Sequence, residues 1–309
     1  MQSKVRKIGR PPNLRDTDMN NAASVRTPPR YLYRASSWQG HKHTNGYDTM
    51  TFHAPAAHIN EDEMCHRTMY DIPNGLSEFS EMLGRRFLWQ DRRRDEMLSW
   101  TSSLLFALVH ATGRLAKGQQ YISIHVIDTT KVTTMDGKPV DFHFAPDLLR
   151  LLDIKGWHGW TSFEQANLEQ PWFTHEWVTH SVVKSPAAHS FEADIEDIIA
   201  TGLYTYLPMF QTKEGEDMRS LYHRCGYTRS VYHCRGAESV PVTWDVFTMA
   251  KRLARCFLPA KVRKQDPYSV PPLSILIDFL ALEARPAKDP NFMLWIRSSY
   301  TGRSTHHAY

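Results

Sequence analysis

Tyr31-Leu32-Tyr33-Arg34-Ala35-Ser36-Ser37 is the stretch that decides how the rest of the chain is read. Aromatic and aliphatic residues alternate there around a single arginine, the pattern of a pleated, half-buried strand. A guanidinium in such a run is costly to desolvate without an anion beside it, so Arg34 is expected to meet a carboxylate or a phosphate. On the residues alone both stay open: an internal ion pair, or a bound phosphate.

Around this strand the 309 residues are 41% hydrophobic, enough for a sizeable core with or without an appendage. The formal net charge of +4 says little about partners, but the basic residues cluster. Lys4, Arg6, Lys7, Arg10 and Arg15 lie in one segment, and Arg85, Arg86, Arg92, Arg93 and Arg94 in another. Such runs read as solvated arms or faces, with a nucleic-acid patch as the alternative. Four cysteines, Cys65, Cys225, Cys234 and Cys256, are too few for a disulfide framework and are read as reduced. Met1 to Arg15 has no apolar stretch of the kind a secretory leader needs. The greasiest runs, Leu104 to Ala111 and Leu273 to Leu282, are too short to span a bilayer. The expectation is a soluble protein, cytoplasmic or nuclear, with no membrane partner.

In chain order, residues 1–28 have the composition of a disordered basic arm. From Trp38 to about Pro73 the chain is polar and His-rich, and reads as a loop or lid. Leu76, Phe79, Leu83 and Phe87 give an amphipathic helix over Gly75 to Leu88. Met97 to Ser103 leads into Leu104 to Ala111, hydroxyl residues ahead of an apolar run, which predicts an N-cap and a buried helix ending near Gly113 or Gly118. Tyr121 to Ile127 alternates as a strand with one face in the core, and Ala145 to Leu152 reads as a short helix. Glu176 to Val183 is a further strand, with Glu176 on the same side as Val178 and Val182, where a carboxylate is costly unless something uses it. Phe191, Ile195, Ile198 and Ile199 mark a helix stopped at Gly202, and Leu203 to Phe210 a closing strand. A polar linker, 211–240, precedes proline-bounded helices over Pro241 to Phe257, Pro272 to Arg285 and Asp289 to Arg297. Residues 299–309 read as a frayed tail.

Two His/Cys groups, His41, His43, His53, His58 and His66 with Cys65, and His223, Cys225, His233 and Cys234, follow no metal-ligand spacing. No Walker loop, no Gly-x-Gly-x-x-Gly and no nucleophile elbow occurs.

Three features in order then stand out: Tyr33-Arg34-Ala35 on a strand, Ser99-Trp100-Thr101 at a strand end before a helix, and Thr174-His175-Glu176 opening a later strand. Separately, Arg34 and Glu176 could simply pair with each other, and Ser99 to Ser103 could simply cap a helix. In this order they resemble the ADP-ribosyltransferase superfamily, specifically the arginine-serine-glutamate group of the cholera and heat-labile enterotoxin catalytic chains. They also resemble an uncharacterised domain widespread in filamentous fungi. The resemblance covers about residues 29–210.

That resemblance implies an α+β fold, an ADP-ribosyltransferase-like split β-sandwich with flanking helices at 29–210, to which the sequence adds a helical extension at 241–298 packed on it. It implies a transferase or glycohydrolase that takes NAD as substrate and transfers ADP-ribose to an unknown protein or nucleic-acid acceptor. Glu176 would be the catalytic glutamate and Ser99 would orient it. Arg34, with Tyr33 and Thr101, would hold the dinucleotide, and Thr174 would face the acceptor. The chain departs from the family pattern at Trp100 and Thr101, and at Thr174, where arginine-modifying members carry a glutamate. Those departures keep open a degenerate relative that retains the fold as a protein-interaction module.

Overall fold

The computed structural model describes residues 26–37, 41–42, 49–54, 82–84, 86, 95–148, 175–211, 216, 220–221, 223–225, 241–266, 269–283 and 289–301. The described strands are β1 (Tyr31–Ser37), β2 (His41–Lys42), β3 (Thr49–His53), β4 (Met97–Thr101), β5 (Ile122–Asp128), β6 (His143–Phe144), β7 (Glu176–His180), β8 (Val182–Pro186) and β9 (Ser190–Asp194). The described helices are α1 (Leu104–Ala116), α2 (Ile195–Thr201), α3 (Leu203–Tyr206), α4 (Trp244–Arg255), α5 (Ala260–Gln265), α6 (Leu273–Leu280) and α7 (Pro290–Thr301). The fold is therefore mixed α+β, and every strand pair whose register is given runs antiparallel.

Two compact units interleave along the chain. Met1–Leu32, Gly40–Ser102 and Asp128–His189 make up the first, and Tyr33–Gln39, Ser103–Ile127 and Ser190–Tyr309 the second.

The first unit contains two antiparallel arrays, β6-β7-β4 and β2-β3-β8. Alternation along β4 sends Trp100 to the side opposite Ser99 and Thr101. Its indole, 1% exposed, meets the Phe52 ring of β3 edge-on at 5.1 Å, so one aromatic pair joins the two arrays. The indole Nε1 donates to Thr179 Oγ1 at 2.9 Å. Thr179→Val removes that acceptor and leaves a buried N–H unsatisfied, which should cost about 1–3 kcal/mol in urea unfolding.

The strand expected over Glu176 to Val183 is broken in two. Ser181 adopts φ 60°, its N–H donates to Glu96 O at 2.7 Å, and its carbonyl accepts from Ala54 N at 2.9 Å. This left-handed residue turns the chain, so β7 pairs with β4 while β8 pairs with β3. The His-rich region read as a loop holds β2 and β3. Thr51 and His53 are buried there beside Phe52, so the strand shows no hydrophobic alternation. Of the helix expected over Gly75 to Leu88, residues 82–84 and 86 are described and are helical. At the end of β5 Arg30 Nε donates to Asp128 Oδ2 at 3.1 Å, and Thr129 N–H donates to Arg30 O at 2.8 Å.

In the second unit α1 is buried on nearly all sides and is capped by Ser103, whose hydroxyl accepts from Phe106 N–H at 3.3 Å. Gly118, at φ +74°, follows its end. β5 pairs with β9, a strand where the start of a helix was expected. Asp194 ends that strand and caps α2 by accepting from Glu196 N–H at 2.8 Å. Leu203 to Phe210 is not a strand. Gly202 at φ +119° stops α2, the chain coils again as α3, and Pro208 opens a 3₁₀ turn to Phe210. The C-terminal helices are shorter than expected at most ends, α5 is additional, and α7 continues through the start of the expected tail to Thr301. Asp289 secures its start by accepting from Asn291 N–H at 2.9 Å, and it accepts from Val242 N–H at 2.6 Å. No helix among the described residues is long and apolar enough to cross a membrane.

Candidate active site

Register assembles the site of the first unit. Thr101 lies opposite Glu176, Ser99 opposite Val178 and Met97 opposite His180 across β4 and β7, while His143 of β6 lies opposite Val178 from the other edge. Paired residues in an antiparallel sheet share a face, so Ser99, Thr101, Glu176, His180 and His143 all project to one side. Trp100, Trp177 and Thr179 take the other.

On the polar face Ser99 is the diagonal neighbour of Glu176, and its hydroxyl donates to Glu176 Oε1. The Arg86 guanidinium approaches the same serine, with Nη2 donating to Ser99 Oγ. Its Nη1 donates to Asp95 Oδ2 and, at 2.7 Å, to Met97 O. Arginine only donates, so Ser99 accepts from it, and the hydroxyl proton is thereby directed at the carboxylate. Arg86, Asp95 and Glu176 are 3%, 4% and 8% exposed. Asp95 also accepts from Met97 N–H at 2.9 Å, which locks the start of β4. Ser102 N–H donates to His175 O at 2.9 Å and fixes the end of β4 against the start of β7.

The outcome is a carboxylate oriented by a hydroxyl, which is itself held by a buried cation whose charge is balanced by Asp95. The Ser99 hydroxyl thus stands between the Arg86 guanidinium and the Glu176 carboxylate. Alongside, His180 Nε2 and Glu96 Oε2 are 2.8 Å apart.

Ser99, Thr101 and Glu176 are thus brought together. Arg34 lies on β1 as expected, half-buried, in the part of that strand belonging to the second unit. Tyr33 is also there. Its hydroxyl donates to the Asp278 carboxylate on α6, and burial, with that charge adding, pushes its pKa well above the ordinary tyrosine value. Tyr33 therefore ties β1 to the C-terminal helices through its hydroxyl. Thr174 lies outside the described residues. Among the His/Cys groups, His53 is buried in β3 and Cys225 is buried with its thiol 3.5 Å from Met209 O.

Arg86 is the residue that sequence reasoning misplaced. The Arg85 to Arg94 run reads as a solvated or nucleic-acid face, yet Arg86 is buried and ion-paired, so it contributes to neither. The available signal was Asp95-Glu96, two carboxylates adjoining a strand and needing counter-charge. Comparisons with protein-family models, with curated proteins and with solved structures each found no match.

Proposed function

We propose that this chain cleaves the nicotinamide–ribose bond of NAD, as a mono-ADP-ribosyltransferase or NAD glycohydrolase. The observation that carries the reading is the Arg86–Ser99–Glu176 chain of hydrogen bonds on one buried sheet face. Departure of nicotinamide leaves an oxocarbenium-like ribose, and a fixed carboxylate in a poorly hydrated site stabilises that developing positive charge. Glu176 takes this role and binds a ribose hydroxyl. Ser99 positions it, and Thr101, directly opposite Glu176, borders the same surface. Arg34 is assigned the dinucleotide phosphate, an assignment that rests on guanidinium chemistry. Trp100, the departure from the family pattern inside the middle motif, points into the core and does not touch this face.

Nicotinamide release from NAD by the wild-type chain, measured beside Glu176→Gln, tests the reading. Equal background release by both overturns it. In that case the second reading, a fold kept for binding protein, gains from the exposed apolar side chains of the C-terminal helices, where Trp244 is 60% and Leu294 62% exposed.

A further inference from the structure

We infer that His143 is the proton acceptor for the nucleophile that attacks the ribose at the Glu176 face, an inference that rests on the proposed NAD cleavage. His143 faces Val178, midway between Glu176 and His180 along β7 and on the side that carries both. His143 and Glu176 are diagonal partners, about 7–8 Å apart in such a sheet with their Cβ atoms somewhat nearer, so that one water or hydroxyl can meet both side chains. The imidazole is 5% exposed, close to the depth of Glu176, and its Nδ1 has no hydrogen-bond partner among the described residues. Its strand is held in place. Phe144 packs on Trp177 at 5.0 Å, and Arg26 lies 4.6 Å over the Phe144 ring while pairing with Asp147 at 3.2 Å.

Burial favours a neutral ring. Burial lowers the His143 pKa from its ordinary value, Asp141 on the approach to its own strand opposes this, and His180 reinforces it. Among the described residues the other charged groups toward this face are Glu176 and the Glu96 that engages His180, with Arg86 and Asp95 beyond Ser99. A neutral imidazole has a basic lone pair at pH 7. Glu176 must stay ionised to stabilise the cation and already accepts from Ser99, and His180 is paired with Glu96. His143 is the group left to accept a proton.

The step balances. The C1′–N1 bond breaks with its electron pair passing to the pyridinium nitrogen, and neutral nicotinamide departs. A water or acceptor oxygen bonds to C1′, its proton moves to the imidazole, and the imidazolium later releases it to solvent.

Two readouts test this. The kcat for nicotinamide release should fall about 10²–10⁴-fold in His143→Asn and His143→Gln with KM little changed, the size usual for a lost general base. In the wild type the rate should fall as pH drops through a group titrating below 6.5, and that limb should vanish in both variants. Independently, NMR titration of the His143 Cε1 resonance should show a pKa below the ordinary histidine value, and a Glu176 carboxylate lying within one water of the ring should make it fall further in Glu176→Gln, because removing a negative charge disfavours the imidazolium. An unchanged titration in Glu176→Gln, or wild-type cleavage by both His143 variants, overturns the His143 assignment alone. A coupled titration without any nicotinamide release from the wild type overturns the NAD reading and the proton-transfer role with it.

Discussion

Asp95→Asn should destabilise the protein by about 3–5 kcal/mol, the cost of leaving one member of a buried ion pair uncompensated. The Arg86 guanidinium and the Asp95 carboxylate are both nearly inaccessible to water, and each makes further hydrogen bonds that fix the start of β4. The two halves of the pair are not equivalent. In Asp95→Asn the guanidinium stays buried and keeps the Ser99 hydroxyl and the Met97 carbonyl, but it loses the carboxylate that pairs with it. In Arg86→Met the stranded Asp95 still accepts from the Met97 N–H, and the loss should be smaller. Arg86→Met combined with Asp95→Leu removes both charges and should recover much of the stability, as exchanges of buried pairs for apolar residues often do. Urea unfolding of the wild type and the three variants measures each value. Against a typical total of about 5–15 kcal/mol, the Asp95→Asn loss should be visible as a large drop in midpoint. A change below about 1 kcal/mol, the value of an exposed pair, would show that water reaches this charge pair.

That pair also marks where sequence reasoning stops. Strand periodicity places the Glu176 carboxylate on the side of Val178, whereas Ser99 is singled out only by the resemblance in motif order, its own residues reading as a helix cap. Which strands would lie side by side was not legible, since register depends on pairing far along the chain. Arg86 was hidden for another reason. Within Arg85 to Arg94 nothing in the sequence sets Arg86 apart from the other arginines, and its burial follows from the Asp95 and Ser99 side chains that meet it. β3 was hidden because Thr51 and His53 are buried polar residues that break the hydrophobic alternation. The break at Ser181 carries no glycine or proline, so only the backbone bonds to Glu96 and Ala54 reveal the turn. Residues 203–210 misread in the opposite direction: the alternation of Leu203, Tyr204, Thr205 and Tyr206 suits a strand, but Gly202 and Pro208 impose helical turns.

The site makes the second large claim, on rate. If the chain cleaves NAD as proposed, Glu176→Gln keeps the shape and one acceptor oxygen but removes the negative charge assigned to the developing cation, so nicotinamide release should fall about 10²–10³-fold, the usual effect of deleting one preorganised electrostatic group. Ser99→Ala acts through the same carboxylate. It removes one hydrogen bond to a charged group, worth about 1.5–3 kcal/mol, hence about a ten- to hundredfold loss in kcat. It also exposes Glu176 to Arg86, whose freed Nη2 can turn toward the carboxylate and neutralise it. Because Ser99 works only by orienting Glu176, Ser99→Ala in a Glu176→Gln background should cost almost nothing further, the non-additivity of residues acting as a unit. Ser99→Thr, which keeps the hydroxyl, should restore much of the rate. If the two single losses instead multiply in the double variant, Ser99 contacts the substrate directly, and the relay from Arg86 to Glu176 is not what prepares the carboxylate.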